Sequence, residues 1–140
     1  DYCLRALSTI LEEIPAAKVI LSSTWRAQPN LIAEILESFY LFGKKFGGPL
    51  KDLEEFAGMT DPNYHSERQH EIGMYLSEHA IDDIAAWVAL DDEELLQGKA
   101  NEAYRSKFEG HVVKTNSRFG LNARDAAKAI QLLKSQLGQS

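Results

Sequence analysis

Two adjacent carboxylates, Asp91 and Asp92, end a short apolar run in the segment AWVALDDEE, residues 86–94. Such a run is typical of a strand buried on both faces of a parallel sheet. Both acids cannot be buried without a cation or donors, because an unpaired buried charge is very costly. Mg²⁺ favours one or two carboxylates with waters and a phosphate, so the pattern predicts a Mg²⁺ site. The alternative is an acidic turn before a solvated helix that starts at Glu93.

Hydroxyl side chains follow a second apolar run, KVILS at 18–22, and comprise Ser22, Ser23 and Thr24. Hydroxyls at a strand end can donate to a phosphoryl oxygen. Arg68, near a predicted helix start, can offer a planar fork of donors to the same anion. Ligands of open α/β sheets gather outside the carboxyl ends of the strands, so parallel strands would bring these groups and the acid pair to one edge. Together they could support phosphoryl transfer, in which positioning and charge neutralisation dominate. Taken singly, Ser22 is also explained as a strand-end cap and Arg68 as a helix-surface residue.

The elements that would position these side chains follow from hydrophobic spacing and capping signals. We predict strands near residues 18–22, 86–91 and 111–115. The first predicted helix covers residues 2–14, and the second begins at a cap at Asn30 and ends at a break at Gly43. The third begins at a Ser66–Gln69 capping box and covers residues 66–79, and the last begins at an Asn122–Asp125 cap. Strands alternating with helices predict an α/β fold, a Rossmann-like parallel sheet with helices on both faces. Residues 44–65 lack periodicity and are predicted to form an irregular insert over one sheet edge.

Length and composition indicate an ordinary globular chain. The 140 residues predict a single domain, 1–140, with 44% hydrophobic and 26% charged residues. No apolar run approaches the length of a membrane span, so no membrane partner is expected. The single cysteine, Cys3, excludes an internal disulfide framework and favours a reducing, cytoplasmic compartment.

Charge is divided unevenly along the chain, whose formal net charge is −6. Residues 50–98 hold thirteen acids against two basic residues, a balance of −11, whereas residues 99–128 hold seven basic residues against three acids, a balance of +4. The overall acidity argues against general nucleic-acid binding, although a local basic patch could still hold a phosphate backbone. Solvated helix faces are the alternative explanation of the basic segment.

The order of these motifs carries a family resemblance. LSSTWR after a strand, SERQHEI, WVALDD, and GLN before the last helix resemble the haloacid-dehalogenase-like (HAD) phosphatase superfamily. The chain looks most like the branch found as the phosphatase-like domain of Swiss Army Knife RNA-repair proteins. The resemblance implies that Ser22 and Arg68 are catalytic and phosphate-binding residues. At the position of Arg68 the family more often has lysine. It implies that Asp91 and Asp92 bind the metal. Ser23 and Arg26 are further phosphate-binding candidates in the first loop.

One departure from the family pattern is large. The family nucleophile is the first aspartate of an Asp-x-Asp motif on the first strand, and the second aspartate acts as general acid and base. No Asp-x-Asp occurs among the 140 residues. Asp1 cannot be the first aspartate of such a motif, because Cys3 occupies the position of the second aspartate. The resemblance places the first strand centrally, between the Ser22 and Asp91 strands. We therefore expect an N-terminally truncated domain whose sheet lacks this central strand.

The resulting function hypothesis is a Mg²⁺-dependent phosphohydrolase-type domain, inactive as this fragment because the nucleophilic aspartate is missing. Its expected partner is a phosphorylated small molecule or a nucleic-acid end, including nucleotide phosphates. The alternatives are a non-catalytic phosphate-binding or partner-binding relic of the HAD fold, and a plain structural α/β domain. Sequence upstream of Asp1 that ends an apolar strand in Asp-x-Asp would favour the enzyme over the relic.

Overall fold

A computed structural model describes residues 2–22, 28–61, 68–79 and 83–138. The described helices are α1 (Tyr2–Glu13), α2 (Pro29–Phe46), α3 (Arg68–Glu78), α4 (Arg105–Phe108) and α5 (Ala123–Gln136), and the strands are β1 (Ile20–Leu21), β2 (Gly58–Met59), β3 (Ala89–Asp91) and β4 (Val112–Lys114). Backbone contacts divide the chain into two compact units. We call Leu11–Glu78 the Ser22 unit, and Asp1–Ile10 with His79–Ser140 the Asp91 unit.

The four described strands form two parallel pairs, β1 with β2 and β3 with β4. Parallel strands separated by helices confirm the predicted α/β class. Each prediction of a strand near 18–22, 86–91 and 111–115 is confirmed, although each strand is shorter than predicted.

In the Ser22 unit, α2 differs from its prediction at both ends. The cap residue is Gln28, with Pro29 as the first helical residue, so the Asn30 cap was wrong. Pro suits this position because its missing N–H has no helical partner there. The helix also continues through Gly43 to Phe46. A Cβ at Gly43 would lie only 2.5 Å from the Cβ of Lys51, so glycine allows the 3₁₀ helix Pro49–Asp52 to pack closely against α2.

Strand β2 lies inside the stretch 44–65 that lacks hydrophobic periodicity. Gly58 pairs with Ile20, and Met59 pairs with Leu21. A Cβ at Gly58 would lie 2.3 Å from the hydroxyl of Tyr75, which shows that α3 packs tightly on this strand. The strand is two residues long, too short for a period-2 pattern, and its partner is almost forty residues away. The prediction that 44–65 is an insert over the sheet edge stays a prediction.

In the Asp91 unit, β3 and β4 pair over three residues, Ala89 with Val112, Leu90 with Val113, and Asp91 with Lys114. Val112 and Val113 are buried, whereas Ala89 and Leu90 are only partly buried. The expectation that the Asp91 strand is buried on both faces was therefore wrong. Among the described strands β3 is bonded on one side only, which leaves its apolar residues partly exposed.

The final helix begins as predicted. The side chain of Asn122 accepts a hydrogen bond from the Asp125 N–H at 2.9 Å, and the Asp125 carboxylate accepts one from the Asn122 N–H at 3.1 Å. This reciprocal capping box satisfies donors that a helix start otherwise leaves without partners. The spacing predicts an inward face of Ala126, Ala129, Ile130 and Leu133, of which Ala126, Ala129 and Leu133 are buried and Ile130 is partly buried. The other predicted capping box lies partly outside the described residues, because Ser66 does.

No helix in the described part of the chain is long and apolar enough to span a lipid bilayer.

Candidate functional site

The hydroxyl cluster begins where β1 ends. Ser22 is the residue directly after β1 and is partly buried. It therefore stands at the carboxyl end of a parallel strand, the position that the sequence predicted for a phosphate-binding hydroxyl. Ser23, Thr24 and Arg26 lie outside the described residues, so their predicted roles stay predictions.

A second hydroxyl residue, Thr60, ends the neighbouring strand. The Thr60 N–H donates to the Leu21 carbonyl at 3.0 Å, so Thr60 follows β2 at the same edge where Ser22 follows β1. Thr60 is only 4% exposed, and its Oγ1 has no hydrogen-bond partner among the described residues. A buried hydroxyl is costly without a partner. Sequence reasoning missed this residue because β2 carries no strand signal of its own.

Arg68 is the first residue of α3 and is not a solvated surface residue. Its side chain is 13% exposed, and its Nε lies 3.9 Å from Oε2 of Glu71, one turn further along the helix. The Glu71 side chain is 3% exposed. A buried carboxylate is retained only with charge or hydrogen-bond compensation, which the guanidinium helps to supply. Arginine has five N–H donors in a planar fork, the geometry that suits a phosphate anion.

The two acids of the pair have different environments. Asp91 is the last residue of β3 and is 5% exposed, and its Oδ1 accepts a hydrogen bond from the Glu93 N–H at 3.0 Å. Asp92 is exposed. Asp92 lies in the bend directly after β3, which explains how one carboxylate is buried and the next is solvated. The alternative of an acidic turn agrees with the exposure of Asp92 but not with the burial of Asp91, and the helix that it placed at Glu93 was wrong, because residues 93–98 are irregular.

The segment after the acid pair is held by its own polar side chains. The carboxylate of Glu94 accepts from the N–H groups of Leu96 and Gln97 at 3.0 and 3.1 Å. The Asn101 amide donates to the carbonyls of Glu94 and Gln97, and the Arg105 guanidinium donates to the carbonyls of Leu96 and Gly98. These bonds satisfy an irregular backbone that no strand or helix would satisfy. They fix the loop that begins at Asp92.

Glu94 also lies beside the end of β4. Hydrogen bonds from the N–H groups of Gln97 and Leu96 lower the pKa of Glu94, and the ammonium group of Lys114 lowers it further, against a smaller opposing effect of desolvation. Lys114 Nζ lies 3.7 Å from Glu94 Oε1, and both side chains are exposed. Lys114 is in register with Asp91, so a cation stands at the same strand end as the buried acid.

The donor chemistry of the acid pair fits Mg²⁺. Both groups offer hard oxygen ligands, and Mg²⁺ is commonly bound by one or two carboxylates with waters and phosphate oxygens. In the described ranges, no group of three or more His, Cys, Asp or Glu residues is placed to hold a metal ion. A Mg²⁺ ion at the acid pair would therefore take its other ligands from groups beyond these residue types, such as waters and the oxygens of a bound phosphate.

The predicted site residues thus fall into two groups. Ser22 and Arg68 lie in the Ser22 unit, and Asp91 and Asp92 lie in the Asp91 unit. Each group is placed at a strand end or a helix start, as the sequence predicted. The first offers hydroxyl and guanidinium donors that suit a phosphate anion, and the second offers carboxylates that suit a divalent cation.

Comparison with known proteins gives one family. A family model described as the HAD domain in Swiss Army Knife RNA repair proteins matches residues 1–126. No curated protein and no solved structure matches the chain.

Proposed function

Because the chain belongs to the family of HAD domains in Swiss Army Knife RNA repair proteins, we propose that it is a Mg²⁺-dependent phosphohydrolase-type domain for phosphate monoesters. The proposed substrates are nucleotide phosphates or phosphorylated nucleic-acid ends. With a single cysteine in the sequence, we further propose a reducing, cytoplasmic setting.

The observation that carries this proposal is the burial of Asp91 at the carboxyl end of β3. A carboxylate that is 5% exposed at the carboxyl end of a strand is a suitable ligand for a cation, whose charge would add to the stabilisation that the Glu93 N–H supplies. The adjacent Asp92 would add a second oxygen ligand from the solvent side. A Mg²⁺ ion bound there would neutralise the charge of a phosphoryl group during transfer.

Phosphate binding is proposed for donors within the Ser22 unit. The Ser22 hydroxyl would donate to a phosphate oxygen, and the Arg68 guanidinium would bind phosphate oxygens through its planar pair of N–H groups. Glu71 would keep the guanidinium oriented, because its carboxylate lies 3.9 Å from Arg68 Nε. Ser23 and Arg26 are proposed to extend the same phosphate-binding loop.

The reaction also needs a nucleophile. The family attacks phosphorus with the first aspartate of Asp-x-Asp, and no such motif occurs in the 140 residues. Without the aspartyl intermediate, the reaction is not divided into two easier steps. We therefore propose that these 140 residues bind phosphate but do not turn over phosphate monoesters by themselves. A Mg²⁺-dependent rate on an aryl phosphate that disappears in Asp91→Asn would contradict this.

The metal-binding part is tested by melting temperature across a Mg²⁺ series with a matched salt control. A ligand that binds only the folded state stabilises it by RT ln(1 + [L]/Kd), about 2.7 kcal/mol at one hundred times Kd. With a sparse set of oxygen ligands, we expect a Kd on the order of millimolar. Asp91→Asn and Asp92→Asn should each lose the Mg²⁺-specific rise, whereas Asp52→Asn, at an exposed acid in the Ser22 unit, should keep it. Equal responses in all variants would refute the metal site.

The non-catalytic relic remains a second candidate, and one observation favours it. Within the described ranges no third His, Cys, Asp or Glu joins the acid pair in a group that could hold a metal ion. A relic would bind inorganic phosphate equally well with and without Mg²⁺, whereas the phosphohydrolase-type site should bind it more tightly with Mg²⁺. Titration of the chain with inorganic phosphate in both conditions separates the two.

A further inference from the structure

An exposed aromatic ring lies beside a guanidinium group in the loop after β4. Phe119 is 61% exposed, the highest value among the large hydrophobic side chains of the described residues. The guanidinium carbon of Arg118 lies 5.8 Å from the centre of the Phe119 ring, within the range of a cation–π interaction. A singly exposed hydrophobic residue is ordinary on a protein surface, so further observations must decide whether this one is functional.

The backbone that carries this ring is fixed from both sides. Asn116 Oδ1 accepts from the N–H groups of Arg118 and Phe119, each at 2.8 Å, and the Gly120 N–H returns to the Asn116 carbonyl at 2.8 Å. The Phe119 carbonyl accepts from the Tyr2 hydroxyl and from the Cys3 thiol, the latter at 3.3 Å. The loop is thus anchored to α1, and the Phe119 ring is presented to solvent with little backbone freedom to lose on binding.

The fixed loop starts next to the proposed metal-binding acid. The Thr115 N–H donates to the Asp91 carbonyl at 2.8 Å, and the loop begins at the following residue. Phe119 is four residues beyond Thr115, so its Cα lies within about 14 Å of the Thr115 Cα, even for a fully extended chain. Arg118 and Phe119 therefore lie on the short loop that leaves β4 at the strand end where Asp91 is buried.

The charge around this loop suits an anionic ligand. Residues 99–128 have a balance of +4, in contrast to the acidic stretch before them. Arg118 and Arg124 are both exposed on either side of the loop's end. An aromatic ring and guanidinium groups within a basic segment are the elements from which proteins build stacking sites for nucleobases. A purely apolar partner would cover these guanidinium groups without supplying an anion or hydrogen-bond acceptors to balance their charge.

We propose that Phe119 and Arg118 form a stacking site for the base of a ligand whose phosphate binds with Mg²⁺ at Asp91 and Asp92. The inference rests on the proposed function, because it adds a binding site for the base of the nucleotide or nucleic-acid end proposed there as substrate. The base would lie on the exposed face of the Phe119 ring, and the Arg118 guanidinium would contribute a cation–π contact and attract the phosphate. Tyr2 supports the site by holding the Phe119 carbonyl.

The test compares the affinities of adenosine 5′-monophosphate and ribose 5-phosphate in Mg²⁺, measured by titration calorimetry. Both probes carry the same phosphate, but only the first has a base. Wild type should bind the nucleotide about tenfold more tightly than the sugar phosphate. Phe119→Ala should bind the nucleotide as weakly as the sugar phosphate, whereas Phe119→Trp should bind the nucleotide more tightly than the sugar phosphate, as wild type does. Leu41→Ala, at an exposed apolar residue of α2, should behave as wild type.

The outcomes separate this inference from the proposed function. Equal binding of both probes by wild type would overturn the stacking site and leave the phosphate site intact. Binding of neither probe would overturn the proposed function and, with it, the inference. A preference for the nucleotide that Phe119→Ala keeps would also overturn the stacking site. If the preference is found, a single-stranded oligonucleotide with a terminal phosphate is titrated next. Tighter binding than that of the mononucleotide would identify a nucleic-acid end as the ligand, and equal binding would identify a free nucleotide.

Discussion

The side-chain amide of Gln136 forms two hydrogen bonds with the backbone of Trp87. The Trp87 N–H donates to Gln136 Oε1, and Gln136 Nε2 donates to the Trp87 carbonyl, both at 2.9 Å. Gln136 Nε2 also donates to the Gly110 carbonyl at 3.1 Å. The last turn of α5 is thereby joined to the chain just before β3 and just before β4. The backbone N–H and carbonyl of Trp87 therefore bond to the Gln136 side chain of a helix, as they would to a neighbouring strand in a sheet.

Removing this amide should destabilise the fold. Each hydrogen bond contributes about 0.5–1.5 kcal/mol, and a backbone group left buried without a partner costs more. We therefore expect Gln136→Ala to lower the free energy of unfolding by about 1–3 kcal/mol in urea denaturation. Gln131→Ala, at an exposed residue of the same helix, should change it by less than about 0.5 kcal/mol. Equal effects of the two substitutions would show that the amide contacts contribute nothing.

The contact between Arg68 and Glu71 predicts a rescue by a second substitution. Arg68→Met leaves a buried carboxylate with less positive charge beside it, and we expect a loss of about 2 kcal/mol in unfolding free energy. Adding Glu71→Gln removes that charge, so the double variant should recover part of the loss. Lys44→Met, at an exposed cation of α2, serves as the control. An electrostatic role for the pair would be contradicted if the double variant lost more unfolding free energy than the sum of the losses of Arg68→Met and Glu71→Gln.

The environment of Glu94 predicts acid-dependent stability. The pKa of Glu94 is lowered mainly by the N–H groups of Gln97 and Leu96, so its ionised form is favoured in the folded state. The resulting stability is present above the pKa of an unfolded glutamate, about 4.3, and is lost as pH falls through the lowered pKa of the folded state. An NMR titration of the side-chain carboxyl should therefore have its midpoint below that of a free glutamate.

Two variants separate the causes of that shift. Lys114→Met should raise the pKa of Glu94 only slightly, because the lysine contributes less than the two backbone N–H groups. Glu94→Gln keeps an oxygen acceptor for those N–H groups but cannot titrate, so the Leu96 and Gln97 amide signals should lose their acid transition. A return of the pKa to its usual value in Lys114→Met would show that the lysine dominates.

The buried hydroxyl of Thr60 predicts an unusual response to an apolar substitution. Its Oγ1 has no hydrogen-bond partner among the described residues, so Thr60→Val removes a poorly satisfied polar group without changing shape. We expect Thr60→Val to leave the melting temperature unchanged or to raise it, corresponding to about 0–2 kcal/mol. If the hydroxyl contacts bound phosphate beside Ser22, the same variant should bind inorganic phosphate more weakly, and Thr60→Ser should bind it normally. A loss of stability without ligand would show that Oγ1 has a structural partner.

The sequence by itself determined the features that depend on neighbours along the chain. The Asn122–Asp125 capping box, the apolar face of α5 and the three predicted strands all arise from local periodicity or local hydrogen bonds, and each is confirmed. The family is likewise readable from the order of LSSTWR and WVALDD, and its model matches residues 1–126. These patterns place Ser22 and Asp91 at strand ends before any packing is considered.

Only the tertiary structure decided the features that depend on residues far apart in the chain. The continuation of α2 through Gly43 depends on the approach of Lys51, and β2 exists because residues 58–59 find β1. The anchoring of the Phe119 carbonyl by Tyr2 spans more than one hundred residues. The burial of Asp91 beside an exposed Asp92 also follows from packing, because two identical side chains carry no local signal that distinguishes them. Long-range contacts of this kind leave no periodicity in the sequence, so no spacing rule predicts them.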